Sequence, residues 1–145
     1  MRIRLTSFRR GAATLALGGA VATGGCATIS TQQEVQAGAE YSRQINQQLP
    51  LVRDSYTNQY VTRLGRQIAA QADPRGIQYT FYVVNSDVVN AFSLPGGYVY
   101  VNRGIIERAD NVSQLAGVLA HEIGHVAERH GVEQAQRAQN ANTAL

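Results

Sequence analysis

Apolar residues recur at three- and four-residue intervals in three parts of the chain, and this spacing predicts three helices. The helical segments are 34–49, 52–68 and 112–126. The first is mostly polar and is broken by Pro50, whereas the second should end at the turn sequence Asp73–Gly76. Asn111 or Ser113 can cap the third helix, whose many apolar positions predict a buried side.

Between the second and third helices the pattern changes to that of extended chain. Residues 77–84 alternate between two faces, one of which is strongly apolar, and therefore predict a strand. Residues 88–94 and 98–101 predict two more strands, separated by the turn sequence Pro95–Gly97. The order of elements predicts an α+β fold in which a small antiparallel sheet packs against helices.

The third helix carries His121-Glu122-Ile123-Gly124-His125, a pattern typical of a catalytic zinc site. Residues four apart share a helix face, so both imidazoles can reach one ion, and Glu122 can accept a proton from the attacking water. This helix would then be central to the active site. The pattern also occurs by chance, and the alternative is a pair of hydrogen-bonded core histidines. On a continuous helix His130 lies about 180° from His121 and should pack or hydrogen-bond rather than bind the same ion.

The N-terminus has the features of an export signal. Four arginines and no acidic residue occupy the first ten positions, and an apolar run rich in small residues follows. Gly24–Cys26 resembles the end of a bacterial lipoprotein signal, although Thr23 stands where such signals usually have an aliphatic residue. We therefore expect a signal peptide over 1–25, lipidation of Cys26 and a tether over 26–33. The alternative is an ordinary secretory signal.

Removal of this signal changes what the net charge implies. The whole chain has a formal charge of +3, but four of its 13 basic residues and none of its 10 acidic residues lie in 1–25. The rest carries a charge of −1, so nucleic acid is not an expected partner. About 120 residues remain, enough for one small domain over 34–135 with a polar tail over 136–145. No second apolar run approaches the roughly 20 residues of a membrane-spanning helix.

Two segments resemble those of a known enzyme family. They are NAFSLPGGY at Asn90–Tyr98 and LAGVLAHEIGHVAERH at 115–130. Together they resemble the zinc metallopeptidases that include the CAAX prenyl endopeptidase and the membrane protease HtpX. The likeness is greatest to the soluble periplasmic lipoproteins of that family and extends over roughly 34–135.

This resemblance implies a zinc-dependent metalloendopeptidase that cleaves unfolded or misassembled proteins of the bacterial cell envelope. His121 and His125 would hold one Zn²⁺ per chain, and Glu122 would be the general base. A polypeptide substrate would pair with an edge strand, although the same stretch is also explained as a mere strand and tight turn. The residues of that strand are Ala91, Phe92, Ser93 and Leu94. The protein would lie in the periplasm, anchored to the outer membrane through the lipid on Cys26, with outer-membrane assembly proteins as possible partners.

The third zinc ligand is where this sequence departs from the family. Related enzymes take it from a glutamate on a later helix, but only 20 residues follow His125, and their acidic residues are Glu128 and Glu133. On a continuous helix these lie at about 340° and about 120° from His121 and beyond His125, so neither is a good substitute. We therefore expect the chain to be the N-terminal part of a longer peptidase, truncated at its C-terminus. The alternatives are a non-catalytic periplasmic binding or chaperone-like lipoprotein and a scaffolding lipoprotein of an outer-membrane assembly.

Overall fold

The computed structural model describes residues 29–143, so the predicted signal peptide and the lipidation site Cys26 lie outside the described residues. The described part of the chain contains five helices and three strands. In chain order they are α1 (Thr31–Asn46), α2 (Ser55–Ala72), β1 (Thr80–Val84), β2 (Ala91–Leu94), β3 (Tyr98–Asn102), α3 (Arg103–Arg108), α4 (Val112–Ala127) and α5 (His130–Thr143). None of these helices combines the length and hydrophobicity needed to cross a membrane.

Side-chain caps determine where the helices begin. Ser30 and Gln33 form a capping box, so α1 begins three residues before the apolar spacing predicts. Asp54 caps α2 by accepting a hydrogen bond from the backbone N–H of Thr57 at 2.7 Å. Asn111, one of the two predicted caps, accepts hydrogen bonds from the first turn of α4. The three long helices predicted from the sequence are therefore present, with their starts set by polar residues.

The three strands form one sheet in the order β1–β3–β2, with β3 in the centre. β2 and β3 form an antiparallel hairpin, and its turn uses Gly96 and Gly97 at φ values of 79° and 93°. β1 runs parallel to β3, with Thr80 opposite Tyr98. The predicted α+β class is confirmed. The predicted small antiparallel sheet is correct for the β2–β3 pair but wrong for the β1–β3 pair, because the hairpin folds back and places β3, rather than β2, beside β1.

Helices cover both faces of the sheet. α2 and α4 pack on one face, and the core they share with the sheet includes Val61, Val99, Val101, Leu119 and Ile123, all at most 1% exposed. α1 lies on the other face, where the Ser42 hydroxyl is 2.9 Å from the hydroxyl of Tyr100. The rings of Tyr82, Tyr100 and Phe92 stack across all three strands on that face. The sheet thus holds α1 and α4 on opposite sides of β2 and β3.

The helix α1 packs directly on the β2–β3 turn. A Cβ atom at Gly38 would lie 1.9 Å from the carbonyl oxygen of Pro95, so only glycine allows the helix to approach so closely. The backbone N–H of Gly96 donates to Oε1 of Glu34 at 3.2 Å. The position of the edge strand β2 therefore depends on α1.

Candidate active site

The predicted metal ligands and base lie on α4, next to its buried side. That side consists of Leu115, Leu119, Ile123 and Val126, which are buried at the helical spacing predicted from the sequence. His121 is exposed, His125 is half-buried, and Glu122 is only 8% exposed. The core thus fixes the rotation of α4, and that rotation presents both histidines at the surface.

The two histidines converge on one point. Nε2 of His121 and Nε2 of His125 are 3.1 Å apart. Two tetrahedral ligands at the usual Zn–N distance of about 2.0–2.1 Å would be separated by about 3.3 Å, so the observed spacing fits a shared zinc ion. Imidazole nitrogen is also a preferred ligand of zinc. Both the geometry and the chemistry of this pair fit the predicted metal.

Glu122 points towards the edge strand. Its Oε2 accepts a hydrogen bond from the Ser93 hydroxyl at 3.2 Å, across the gap between α4 and β2. The structure therefore brings the predicted general base into contact with one of the predicted substrate-binding residues.

A groove of about 310 Å³ lies between β2 and the C-terminal end of α4. The four predicted substrate-binding residues, Ala91, Phe92, Ser93 and Leu94, all line it. Glu122, His125 and His130 line it as well, whereas His121 does not. A chain segment lying in this groove would contact both the edge strand and the candidate base.

The backbone of β2 has polar groups that the sheet does not use. No described strand pairs with the outer side of β2. The N–H of Asn102 donates to the carbonyl of Asn90 at 3.0 Å, and bonding alternates along an antiparallel pair. The N–H and C=O groups of Ala91 and Ser93 are therefore directed away from β3.

His130 does not continue α4. That helix ends at Ala127, Arg129 has a left-handed φ of 59°, and α5 begins at His130. The assumption of a continuous helix is therefore wrong. His130 turns back towards the site, and its Nδ1 lies 2.8 Å from Nδ1 of His125. It is a hydrogen-bonding residue, as predicted, and it meets the ring nitrogen of His125 that faces away from His121.

Glu34 forms a buried ionic centre that sequence reasoning missed. Its side chain is 0% exposed and accepts hydrogen bonds from Arg129 Nε at 2.9 Å and Arg75 Nη1 at 3.2 Å. Arg129 also donates through Nη2 to the carbonyl of Ile29. In the sequence Glu34 only marks the start of a polar helix, and no local pattern pairs it with a residue 95 positions away.

Arg75 connects this centre to Asp73 and to the end of α4. Its Nη2 is 2.7 Å from Asp73 Oδ2 and 2.7 Å from the carbonyl oxygen of Val126. The hydrogen bond from Arg75 lowers the pKa of Asp73 to about 2, and a hydrogen bond from Tyr79 acts in the same direction. Burial, reinforced by the bond to Asp73, raises the pKa of Tyr79. Charged groups on α1 and after α2 thus anchor the end of α4.

The described residues supply two candidate metal ligands. Among residues 29–143, no group of three or more His, Cys, Asp and Glu side chains is placed to hold a metal ion. The two acidic residues after the motif are exposed: Glu128 caps the end of α4, and Glu133 pairs with Arg137 on α5.

The family of this chain follows from comparison with known proteins. The sequence model that describes peptidase family M48 matches residues 55–145, more than half of the chain. The chain therefore belongs to peptidase family M48, and the family predicted from the NAFSLPGG and HEIGH segments is confirmed.

Several curated relatives are similar over most of this chain. It is 40% identical to the Beta-barrel assembly-enhancing protease of Yersinia pestis over 120 residues, which cover 81% of this chain and 25% of the relative. The corresponding protein of Escherichia coli O157:H7 is 38% identical over 118 residues, with coverage of 81% and 24%. The mitochondrial metalloendopeptidase OMA1 of Schizosaccharomyces pombe is 38% identical over 77 residues, with coverage of 53% and 23%. The chain spans about a quarter of the length of these relatives.

Proposed function

We propose that this chain provides two metal ligands, the general base and the substrate strand of a zinc-dependent metalloendopeptidase. The observation that carries the proposal is the convergence of His121 and His125 beside the buried carboxylate of Glu122, in a chain of peptidase family M48. His121 and His125 would hold one Zn²⁺ through their converging Nε2 atoms, and any further protein ligand would come from outside residues 29–143. When bound there, zinc polarises the scissile carbonyl and makes the attacking water more acidic.

Glu122 carries out the proton transfers of the reaction. As general base it accepts a proton from the attacking water and later returns it to the leaving amine. Its burial against the core and its hydrogen bond from Ser93 limit the positions its carboxylate can take. The proton acceptor is thereby held in the groove where the scissile bond would lie.

The substrate is an extended polypeptide that adds to the edge of the sheet. The outward N–H and C=O groups of Ala91 and Ser93 are free to pair with it, and main-chain pairing places few demands on sequence. Most strands of a folded protein are already paired, and exposed edge strands are usually protected against further pairing. This supports unfolded or misassembled proteins as the substrate class.

The proposed location is the periplasm of a bacterial cell, with the protein anchored to the outer membrane through Cys26. The names of the relatives from Yersinia pestis and Escherichia coli refer to β-barrel assembly, and the membrane-spanning β-barrels of bacteria lie in the outer membrane. Outer-membrane assembly proteins are therefore proposed partners. Labelling with radioactive palmitate tests the anchor, since Cys26→Ser should abolish incorporation.

A non-catalytic binding, chaperone-like or scaffolding role is the second candidate. The observation in its favour is that the described residues place two metal ligands together rather than three. The groove and the edge of β2 would still hold an extended peptide without cleaving it.

Zinc content and proteolysis separate the two candidates. The comparison uses this chain, the longest product of its reading frame and Glu122→Gln in that product, with unfolded casein as substrate. We expect one zinc per chain in the longest product and casein cleavage that Glu122→Gln lowers about 10²- to 10⁴-fold while zinc is retained, because Glu122 is not a ligand. Casein binding without cleavage by the longest product would instead favour the second candidate.

A further inference from the structure

His125 presents its two ring nitrogens to two different histidines. Nε2 lies 3.1 Å from Nε2 of His121, and Nδ1 lies 2.8 Å from Nδ1 of His130. A neutral imidazole that gives the lone pair of one nitrogen to a metal carries its proton on the other nitrogen. When Nε2 of His125 is a ligand, its Nδ1–H therefore donates to Nδ1 of His130.

We propose that His130 is a positioning residue for the metal ligand His125. By accepting this hydrogen bond it selects the tautomer of His125 and fixes the ring orientation in which Nε2 faces the ion. The inference rests on the proposed function, because it concerns the same metal site. Metal-binding histidines usually donate their second N–H to a carboxylate, a backbone carbonyl or water, and here a neighbouring imidazole takes that place.

The break between α4 and α5 is what brings His130 into range. On an unbroken helix His130 would lie about 140° around the axis from His125, too far round for their rings to meet. The left-handed φ of 59° at Arg129 ends α4 and turns the first residue of α5 back over its last turn. Residues other than Gly, Asn and Asp seldom adopt this conformation, so surrounding contacts must hold it.

Contacts on both sides of His130 hold the break in place. On one side Arg129 donates to the fully buried carboxylate of Glu34 at 2.9 Å. On the other side Gly131 packs against Pro95, where an added Cβ would lie 3.0 Å from Cγ of the proline. α1 and the β2–β3 turn thus fix the backbone before and after His130, and the ring between them is directed at His125.

Two substitutions of nearly equal shape separate the effect of the His125–His130 hydrogen bond from the effect of losing the ring. His130→Asn offers an acceptor oxygen close to the position of Nδ1, whereas His130→Leu offers none. Zinc affinity of the longest reading-frame product is measured by competition with a chromophoric chelator. We expect His130→Leu to weaken zinc binding about 10- to 100-fold and His130→Asn to remain near the wild type. Glu133→Gln, an exposed change on the same helix, is the control and should leave the affinity unchanged.

The absorption spectrum of the Co²⁺-substituted protein gives a readout independent of peptide cleavage. His130→Leu should shift the ligand-field bands, and His130→Asn should restore them. Wild-type affinity and spectra in His130→Leu overturn the inference and leave the proposed function standing. Equal losses in both variants also overturn it, because His130 would then act as a ligand or through its ring alone. A wild-type protein that binds no zinc overturns the proposed function together with this inference.

Discussion

Oε2 of Glu34 and Nε of Arg129 lie 2.9 Å apart, although 95 residues separate them. The pair joins the first turn of α1 to the junction of α4 and α5, next to the candidate metal ligands. Because the Glu34 side chain is 0% exposed, its charge is balanced by Arg129 and Arg75 rather than by water. The stability of the fold and the shape of the site therefore depend on one carboxylate.

Replacing that carboxylate by an amide should destabilise the protein strongly. Glu34→Gln keeps the shape of the side chain but leaves Arg129 without its counter-charge and Arg75 with that of Asp73 alone. Because both arginines are partly exposed, breaking this buried pair should cost up to about 3 kcal/mol. Glu40→Gln on the same helix removes an exposed pair with Arg43 and should cost at most about 1 kcal/mol. Urea unfolding of both variants measures the difference, and equal losses would contradict the assigned burial.

Two helical glycines should respond to alanine in opposite directions. Alanine gains about 1 kcal/mol over glycine in a helix interior, and nothing lies within 4 Å of an added Cβ at Gly117, so Gly117→Ala should stabilise the protein by up to that amount. Gly38→Ala should destabilise it by about 1–3 kcal/mol, because its Cβ would lie 1.9 Å from the carbonyl oxygen of Pro95. Thermal unfolding reports both signs. A stabilising Gly38→Ala would show that α1 is not seated on the β2–β3 turn.

The helices α1, α2 and α4 and the chemistry of α4 were predictable because they depend on the local spacing of residues. Leu115, Leu119 and Ile123 recur at helical intervals, and His121 and His125 share a face only on a helix. The direction of β1 was not predictable, since alternating side chains look the same in parallel and antiparallel strands. Strand direction depends instead on where the hairpin folds back.

The contacts that hold the site in place, made by Arg129 and Glu34, could not be predicted from the sequence for a different reason. Arg129 carries no local signal for a positive φ, which glycine or asparagine would have given. Glu34 occupies a position that helical spacing assigns to a polar surface, and its burial arises only when α1 meets the end of α4. Both features depend on contacts between residues that are distant along the chain, and periodicity cannot report such contacts.

Acid should weaken the fold through Asp73. The pKa of this carboxyl is lowered from 3.8 to about 2 in the folded protein, first by its hydrogen bond from Arg75. A lowered folded-state pKa stabilises the protein above the unfolded pKa, and that stability is lost as pH falls from about 4 to about 2. The shift corresponds to about 2 kcal/mol. Urea unfolding at pH 5 and pH 2 should therefore show a larger acid loss for the wild type than for Asp73→Asn, and equal losses would exclude this linkage.

Proline substitutions in β2 should separate the side that pairs with β3 from the side proposed to bind substrate. Ala91 is the first residue of an edge strand, its N–H is directed away from β3, and proline is tolerated at such positions. Ala91→Pro should therefore leave thermal unfolding nearly unchanged. It should raise the KM for casein cleavage by the zinc-loaded longest product several-fold, because one backbone hydrogen bond contributes about 1 kcal/mol.

Phe92→Pro should destabilise the sheet, unlike Ala91→Pro, because the N–H of Phe92 lies on the side that bonds to β3. This substitution should lower the unfolding temperature, and Phe92→Ala measures how much of the change comes from losing the ring stacked on Tyr100. If Ala91→Pro leaves KM unaltered, the substrate does not pair with the edge of β2. Destabilisation of the same size by Ala91→Pro and Phe92→Pro would instead mean that the outer side of β2 is already occupied in the folded protein.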